Sequence, residues 1–309
     1  MLTTNPGLMH NRILISLGLL LAACSTPQRS ARNDIYRAEL ESWKTRRREA
    51  IAGTNGWTTV VGLHWLAPGA NSIGTNATNT IVLPTGRAPI RAGTLWRSGN
   101  EARFETVPGV VALLDGAPVQ SAVLRSDANG TKPSVLALGG LRMFVIERGE
   151  RLGLRVRDEN SPARLAFREL NYFAVDPRWR LAARFEPYSL PRHLRIADVT
   201  GAVNDELCPG AVVFSARGRE HRLDVMEDEP GGDFLIVFRD TTAGKSTYDA
   251  GRFLKLPRPN AAGQTVIDFN RAYNPPCAFT DFATCPLPLR QNQLPFAIEA
   301  GERKYAGSH

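Results

Sequence analysis

The hydropathy pattern divides the chain into three parts. An apolar run, Ile13 to Ala23, stands near the start and is followed by a polar stretch from 24 to 33 that reads as a tether. From Asp34 to about Ile51 comes the one convincing amphipathic segment: Tyr36, Leu40 and Trp43 fall at i, i+4 and i+7, which predicts an N-terminal helix within residues 34–55. Beyond Gly56 short runs of β-branched and large apolar residues alternate with Gly, Pro, Asn and Asp clusters. They include Trp57–Val61, Thr80–Leu83, Val110–Leu114, Val135–Leu138, Met143–Glu147, Ala211–Phe214, Leu223–Met226, Phe253–Leu256 and Val266–Phe269. Such runs between turn signals predict strands. In Leu152–Asp158, Leu152, Leu154 and Val156 share one face and Gly153, Arg155 and Arg157 the other, the period of a half-buried strand. Phe234–Phe238 is apolar throughout and predicts a central strand. The fold class is mainly β, with one N-terminal helix. A break near Ser161-Pro162 separates a β-sandwich over residues 56–162 from a second β unit, sandwich- or barrel-like, over residues 163–309.

The apolar run at the start bears on location. Ile13 to Ala23 is too short to span a bilayer but fits the core of a secretory signal, with Arg12 as its basic flank. It ends in Leu21-Ala22-Ala23-Cys24, which resembles the lipobox of bacterial lipoprotein precursors. The resemblance implies that residues 1–23 are removed and that Cys24 is acylated. Each buried methylene of the lipid then contributes about 0.8 kcal/mol to membrane anchoring. Ser25, where an Asp would favour retention in the inner membrane, points to the outer membrane with the protein facing the periplasm. Translation from Met9 would leave this signal intact.

Composition changes this picture little. The chain is 43% hydrophobic and 22% charged, which argues for a globular protein and against disorder. The formal charge of +8, reduced by one with Arg12, suits an anionic partner, but an anchored envelope protein without a nucleic-acid motif is not expected to meet DNA or RNA. Lys44, Arg46, Arg47 and Arg48 form a basic last turn on the predicted helix, favourable with the helix dipole or beside lipid headgroups.

Two family resemblances follow. Gly62-Leu63-His64-Trp65-Leu66, Gly69, Asn71, Ile73-Gly74 and Ile81-Val82-Leu83-Pro84 resemble the opening of a forkhead-associated sandwich. Thr75 stands where that family's phosphate-binding Arg would be, and Ala88–Leu95 lacks its Ser-x-x-His, so a phosphothreonine peptide is not an expected partner. The second resemblance is to a bacterial and archaeal family known only as Domain of Unknown Function 1684, and it extends over nearly the whole mature chain. Its most specific block is Asp268–Phe279, continuing through Cys285-Pro286-Leu287-Pro288, Asn292 and Ala300-Gly301-Glu302. Gly62–Leu66, Leu154–Asp158 and Tyr248–Phe253 support it. The resemblance brings no established activity.

Candidate chemistry gathers in the Asp268–Cys285 segment. Asp268, Asn270, Arg271, Tyr273 and Asn274 put donors and acceptors beside a predicted strand, stiffened by Pro275-Pro276. They either satisfy the backbone of a long loop or line a cleft. With Cys24 lipidated, Cys208, Cys277 and Cys285 remain. Cys277-x7-Cys285 has no zinc-site spacing and no nearby His, so no metal is expected, and no cofactor. In an oxidising periplasm the pair is a candidate disulfide whose closure would stabilise by about 2.5 kcal/mol; two free thiols are the alternative. Cys208 reads as a small buried hydrophobe. His64, between large apolar residues, reads as partly buried, and no G-x-S-x-G elbow occurs. Arg155, Arg157, Asp158, Arg252 and Arg271 either pair as salt bridges or, if the arginines converge without partners, make an anion site.

The leading expectation is therefore an envelope lipoprotein that binds or scaffolds an envelope polymer or small anionic ligand, through Arg155, Arg157, Asp158, Arg252, Asp268, Asn270, Arg271, Tyr273 and Asn274. The alternative is a periplasmic hydrolase with paired carboxylates at Asp268 and Glu302.

Overall fold

The computed structural model describes residues 1–3, 26–227 and 231–307. The signal run and Cys24 lie outside the described residues. Two compact units result, Met1–Trp43 and Lys44–His309. Helix α1, Thr26–Ala52, begins at Thr26 rather than at Asp34, and Leu40 is buried between half-buried Tyr36 and Trp43 as its stripe requires. The helix stops at Gly53, whose N–H still bonds to Glu49 O while a Cβ there would meet that same carbonyl.

The rest of the second unit is mainly β. Its first eleven strands are β1 (Val60–Trp65), β2 (Gly69–Gly74), β3 (Ile81–Val82), β4 (Gly93–Ser98), β5 (Glu101–Thr106), β6 (Ala112–Leu114), β7 (Ala117–Pro118), β8 (Ser121–Leu124), β9 (Leu136–Leu138), β10 (Leu141–Arg148) and β11 (Arg151–Asp158). They form a six-stranded sheet in the order β1-β11-β10-β9-β6-β7 and a five-stranded sheet in the order β3-β2-β4-β5-β8. Every pairing in them is antiparallel except that of β2 with β3. Ile73, Leu95 and Phe104 of one sheet and Leu138, Met143, Leu154 and Val156 of the other share one core. Asn71, buried in it, bonds to Ala67 N–H and to the Ala67, Gly69 and Leu95 carbonyls, so its burial leaves no orphaned amide.

After the one-turn helix α2 (Pro162–Leu165) come β12 (Arg180–Ala197), β13 (Val203–Ala216), β14 (Arg219–Glu227), β15 (Phe234–Phe238), β16 (Arg252–Leu256) and β17 (Gln264–Asp268). They make one antiparallel sheet in the order β16-β15-β14-β13-β12-β17. Both faces are covered. Phe234, Ile236 and Phe238 enter one core with Val212, Leu254 and Phe269, while Leu235 and Val237 enter another with Ile196, Phe253 and Cys285. That explains why β15 is apolar at every position. Trp57–Val61 is a 3-10 turn leading into β1 rather than a strand from Trp57.

β11 departs most from expectation. Its second face is not solvated: Gly153 is buried and Arg155 is only 3% exposed. Trp57 and the loop between Pro276 and Leu289 cover it. Thr280 Oγ1 donates to Val60 O at 3.0 Å, and Arg148 Nε to Thr284 Oγ1 at 3.3 Å. Alternation foretold which residues share a face but not what would lie against it.

Candidate functional site

β11 lies between β1 and β10, so Leu63 and Phe144 flank Arg155 in register. Arg151, Gly153, Arg155 and Arg157 alternate along the strand and project to one side. Gly153 leaves a gap that Leu63 and Trp65 fill: a Cβ would lie 2.9 Å from Leu63 Cδ1 and 3.0 Å from the Trp65 ring. The guanidinium groups lie over aromatic rings. Arg151 is 3.9 Å from the Trp65 centroid, Arg155 is 5.1 Å from Trp57, and Arg157 is 5.0 Å from Phe144. A cation over a ring gains about 0.5–2 kcal/mol, which offsets only part of the cost of burying it.

Among the described residues no carboxylate pairs with these three arginines, although the charge of Asp127 acts on Arg155. Arg151 Nη2, Arg155 Nε and Nη2, and Arg157 Nε are buried without a hydrogen-bond partner. Burial, reinforced by the charges of Arg148 and Arg157, pushes the Arg155 pKa down to about 10, and burial lowers that of Arg157. At that value Arg155 remains cationic at neutral pH. Arg148 by contrast is neutralised by Asp127, with Nη2–Oδ2 at 2.9 Å and Nη1–Oδ1 at 3.0 Å. A set of buried donors with nothing to bond is what an anion site offers before its anion arrives.

The remaining predicted site residues do not join this cluster. Asp158 takes a two-point bond from Arg87, at 2.7 and 2.6 Å. Arg252, 1% exposed, pairs with Asp240 at 2.7 Å and donates to the carbonyls of Ala300, Ile298 and Glu302. Asp268 Oδ1 accepts from the Asn270 backbone and side-chain amides at 3.1 Å, and its Oδ2 lies 3.6 Å from Arg271 Nε. Asn270 clamps the backbone of Asp176 in both directions. The Tyr273 ring lies under Arg47, 4.5 Å from its guanidinium carbon. Asn274 Nδ2 donates to Arg303 O at 2.8 Å. Glu302, fully buried, accepts from Arg47 Nε at 2.7 Å and from Asn274 N–H at 2.8 Å. The polar segment from Asp268 onward therefore holds its own backbone in place. Arg47, read in sequence as a dipole-complementing or lipid-facing charge, is instead the partner of Glu302.

Among the described residues Cys208, Cys277 and Cys285 are free thiols. Cys208 is buried, and burial raises its pKa to about 11. Cys277 and Cys285 do not form the expected bridge in this structure, but the Cys277 N–H donates to Cys285 Sγ at 3.2 Å. Burial lowers the pKa of His64. Among the described residues no three His, Cys, Asp or Glu side chains converge as metal ligands. A surface hollow of about 370 Å³, lined by Asn171, Lys245, Ser246, Arg303 and Lys304, is a second basic feature, and Lys304 there lies 3.9 Å from Asp249.

Sequence reading found Arg155 and Arg157 but missed Arg151 and the three rings. The signal was present in the alternation, since Arg151 continues the spacing of Arg155 and Arg157 on the same face. The rings come from three different segments and could be placed only by the fold.

These features define a mainly β protein in which β11, a strand of the N-terminal sheets, carries a cationic, aromatic-lined face covered by Trp57 and the loop after Pro276. Residues 165–303 match the family described as "Protein of unknown function (DUF1684)", which makes that stretch of the chain a DUF1684 segment. The match begins after the N-terminal sheets, so it takes in the block from Asp268 but neither Gly62–Leu66 nor β11. No curated protein matches the chain. Among solved structures it is similar to an uncharacterized protein of Haloarcula marismortui from gene locus rrnAC0354, determined in solution by NMR. Identity is 31% over 45% of this chain and 78% of that one, with a TM-score of 0.39.

Proposed function

We propose that the protein binds a small anion, with phosphate, sulfonate or carboxylate oxygens, on the arginine face of β11. The observation that carries this reading is the set of buried guanidinium nitrogens on Arg151, Arg155 and Arg157 that have no partner. A forked guanidinium matches two oxygens of such a group at once. The lipobox Leu21–Cys24 supports an outer-membrane, periplasm-facing location, held by a lipid on Cys24. Loss of the protein from the membrane fraction on Cys24→Ala would bear that out, and its retention there would not. The forkhead-associated likeness of residues 56–162 supports a sandwich but no phosphothreonine site. The hydrolase alternative has no support from geometry, because Asp268 and Glu302 are each already engaged by neighbouring donors.

The test is calorimetric titration of the protein with inorganic phosphate and pyrophosphate at low salt, alongside thermal melting. Binding to the folded state raises stability by about 2.7 kcal/mol when ligand stands at 100 times Kd. Arg155→Met and Arg157→Met should abolish the heat and the rise in Tm, whereas Lys245→Ser, in the surface hollow, should change neither. An undiminished response in Arg155→Met, or its loss in Lys245→Ser, would sink the assignment to β11.

A further inference from the structure

Cys277 and Cys285 are built as an unequal pair. Cys277 sits in the 3-10 turn Pro276–Ala278, half-buried, and its carbonyl accepts from Tyr248 Oη at 3.0 Å. Cys285 is 4% exposed and lies in the apolar core with Ile196, Leu235 and Val237. Its carbonyl accepts from Val199 N–H at 3.0 Å, and the next residue, Pro286, bridges to Asp198. Both sulfurs are thus carried by backbone pinned at separate places, and a hydrogen bond from Cys277 N–H to Cys285 Sγ joins them at 3.2 Å.

We propose that Cys277 and Cys285 form a redox-active dithiol, with Cys277 as the attacking thiol and Cys285 as the resolving one, and with low-molecular-weight or protein disulfides as oxidants. The inference is independent of anion binding on β11. The Cys277 thiolate attacks one sulfur of the disulfide R–S–S–R. A mixed Cys277–S–S–R bond forms and R–S⁻ leaves. Cys285 then loses its proton to that thiolate and attacks Cys277 Sγ, closing the Cys277–Cys285 bond and releasing the second R–S⁻, which takes up the proton Cys277 gave up. Two thiols are oxidised and one disulfide is reduced to two thiols, so atoms and electrons balance.

The asymmetry fits these roles. The hydrogen bond from the Cys285 thiol holds the Cys277 pKa below its usual value, with help from Tyr248, whereas burial pushes that of Cys285 well up. The partly exposed thiol with the lowered pKa attacks; the buried neighbour, whose pKa is raised, resolves. The Arg155 charge acts on Cys285 and favours negative charge there as it loses its proton. Cys208, fully buried, is the internal control.

The experiment uses the full chain carrying Cys24→Ser, reduced, equilibrated in glutathione buffers of rising oxidation, quenched in acid, alkylated and weighed intact. Two alkylatable thiols, mapped to Cys277 and Cys285, should disappear together and return on reduction without unfolding, while Cys208 stays a thiol throughout. With Cys285→Ser a glutathione adduct should accumulate on Cys277; with Cys277→Ser, Cys285 should acquire none over the same period. Retention of both thiols in the most oxidising buffer would overturn the proposal. So would a bridge that glutathione cannot reduce in the folded protein, or an adduct that forms equally well on Cys285. The first two outcomes are read on the protein with both thiols present, so they hold even if a serine variant fails to fold.

Discussion

Arg252 and Arg155 are almost equally buried, at 1% and 3% exposed, yet the fold treats them in opposite ways. Around Arg252 both terminal nitrogens are answered: Asp240 supplies a carboxylate oxygen at 2.7 Å, and the carbonyls of Ala300, Ile298 and Glu302 accept further bonds from Nη1 and Nη2. Around Arg155 stand Trp57, Phe144 and other arginines, and two of its nitrogens have no partner. A guanidinium satisfied at both terminal nitrogens is a strut that ties the chain end at Ile298–Glu302 to β16. One left unsatisfied in a buried interface weakens the fold until something binds it. The core around Arg252 is thus electrostatically closed, whereas the arginine face of β11 holds buried nitrogens without a protein partner.

The largest effect should come from the closed region. Arg252→Met strips Asp240 of its counter-charge and three carbonyls of their donor inside a packed core. Breaking such a pair costs about 3–5 kcal/mol. Urea unfolding measures it directly, and a loss below about 1 kcal/mol would mean that Arg252 is no strut.

Arg155→Met should do far less. Methionine keeps the straight stem between Trp57 and Phe144 and removes a charge whose burial the rings and the Asp127 charge offset only in part. Stability of the unliganded protein should hold or rise by about 1 kcal/mol, since replacing uncompensated buried charge by apolar bulk is neutral to stabilising. A drop as deep as that of Arg252→Met would instead show the ring contacts to be holding the interface, and the anion reading would lose its basis.

How far the sequence foretold this contrast depends on the residue. Most apolar runs became strands, and β15 was recognisable because an uninterrupted apolar segment fits only a strand buried on both faces. β12 was not recognisable. Its burial alternates only weakly, and Pro187 and Pro191 argue against a strand interior. The fold accepts them because the register with β13 breaks between Pro187 and Arg192, and β17 pairs only with Arg180–Arg184. Of the candidate site residues, Arg155 and Arg252 were chosen on the same ground, as arginines that either pair in salt bridges or converge on an anion. Local pattern gives a guanidinium's place on a strand. Its partner is fixed by what arrives from elsewhere in the chain, as Glu302 arrives at Arg47 across most of the sequence.

The smallest effect is a pH dependence, and it too separates the two regions. Glu206, on β13, has its pKa raised by burial, with Arg148 opposing and Asp205 adding to the rise. Asp158 shifts the other way: burial raises it, but the Arg87 hydrogen bond, the Asn160 N–H and the Arg87 charge together hold it below its usual value. For Asp158, stability is present above the unfolded pKa of 3.8 and is lost as pH falls through the lower folded value. For Glu206 the sign reverses. Below the ordinary value of 4.5 both states hold the proton; as pH rises toward the folded pKa, the unfolded state gives it up first, and stability falls over that window. The two windows lie on opposite sides of about pH 4, so melting curves across weakly acid pH read them separately. Glu206→Gln should flatten the decline above pH 4.5 and leave the acid limb unchanged. A decline that persists in Glu206→Gln would mean that the interface beside Arg148 is better solvated than its burial implies, and the contrast with the closed core around Arg252 would narrow accordingly.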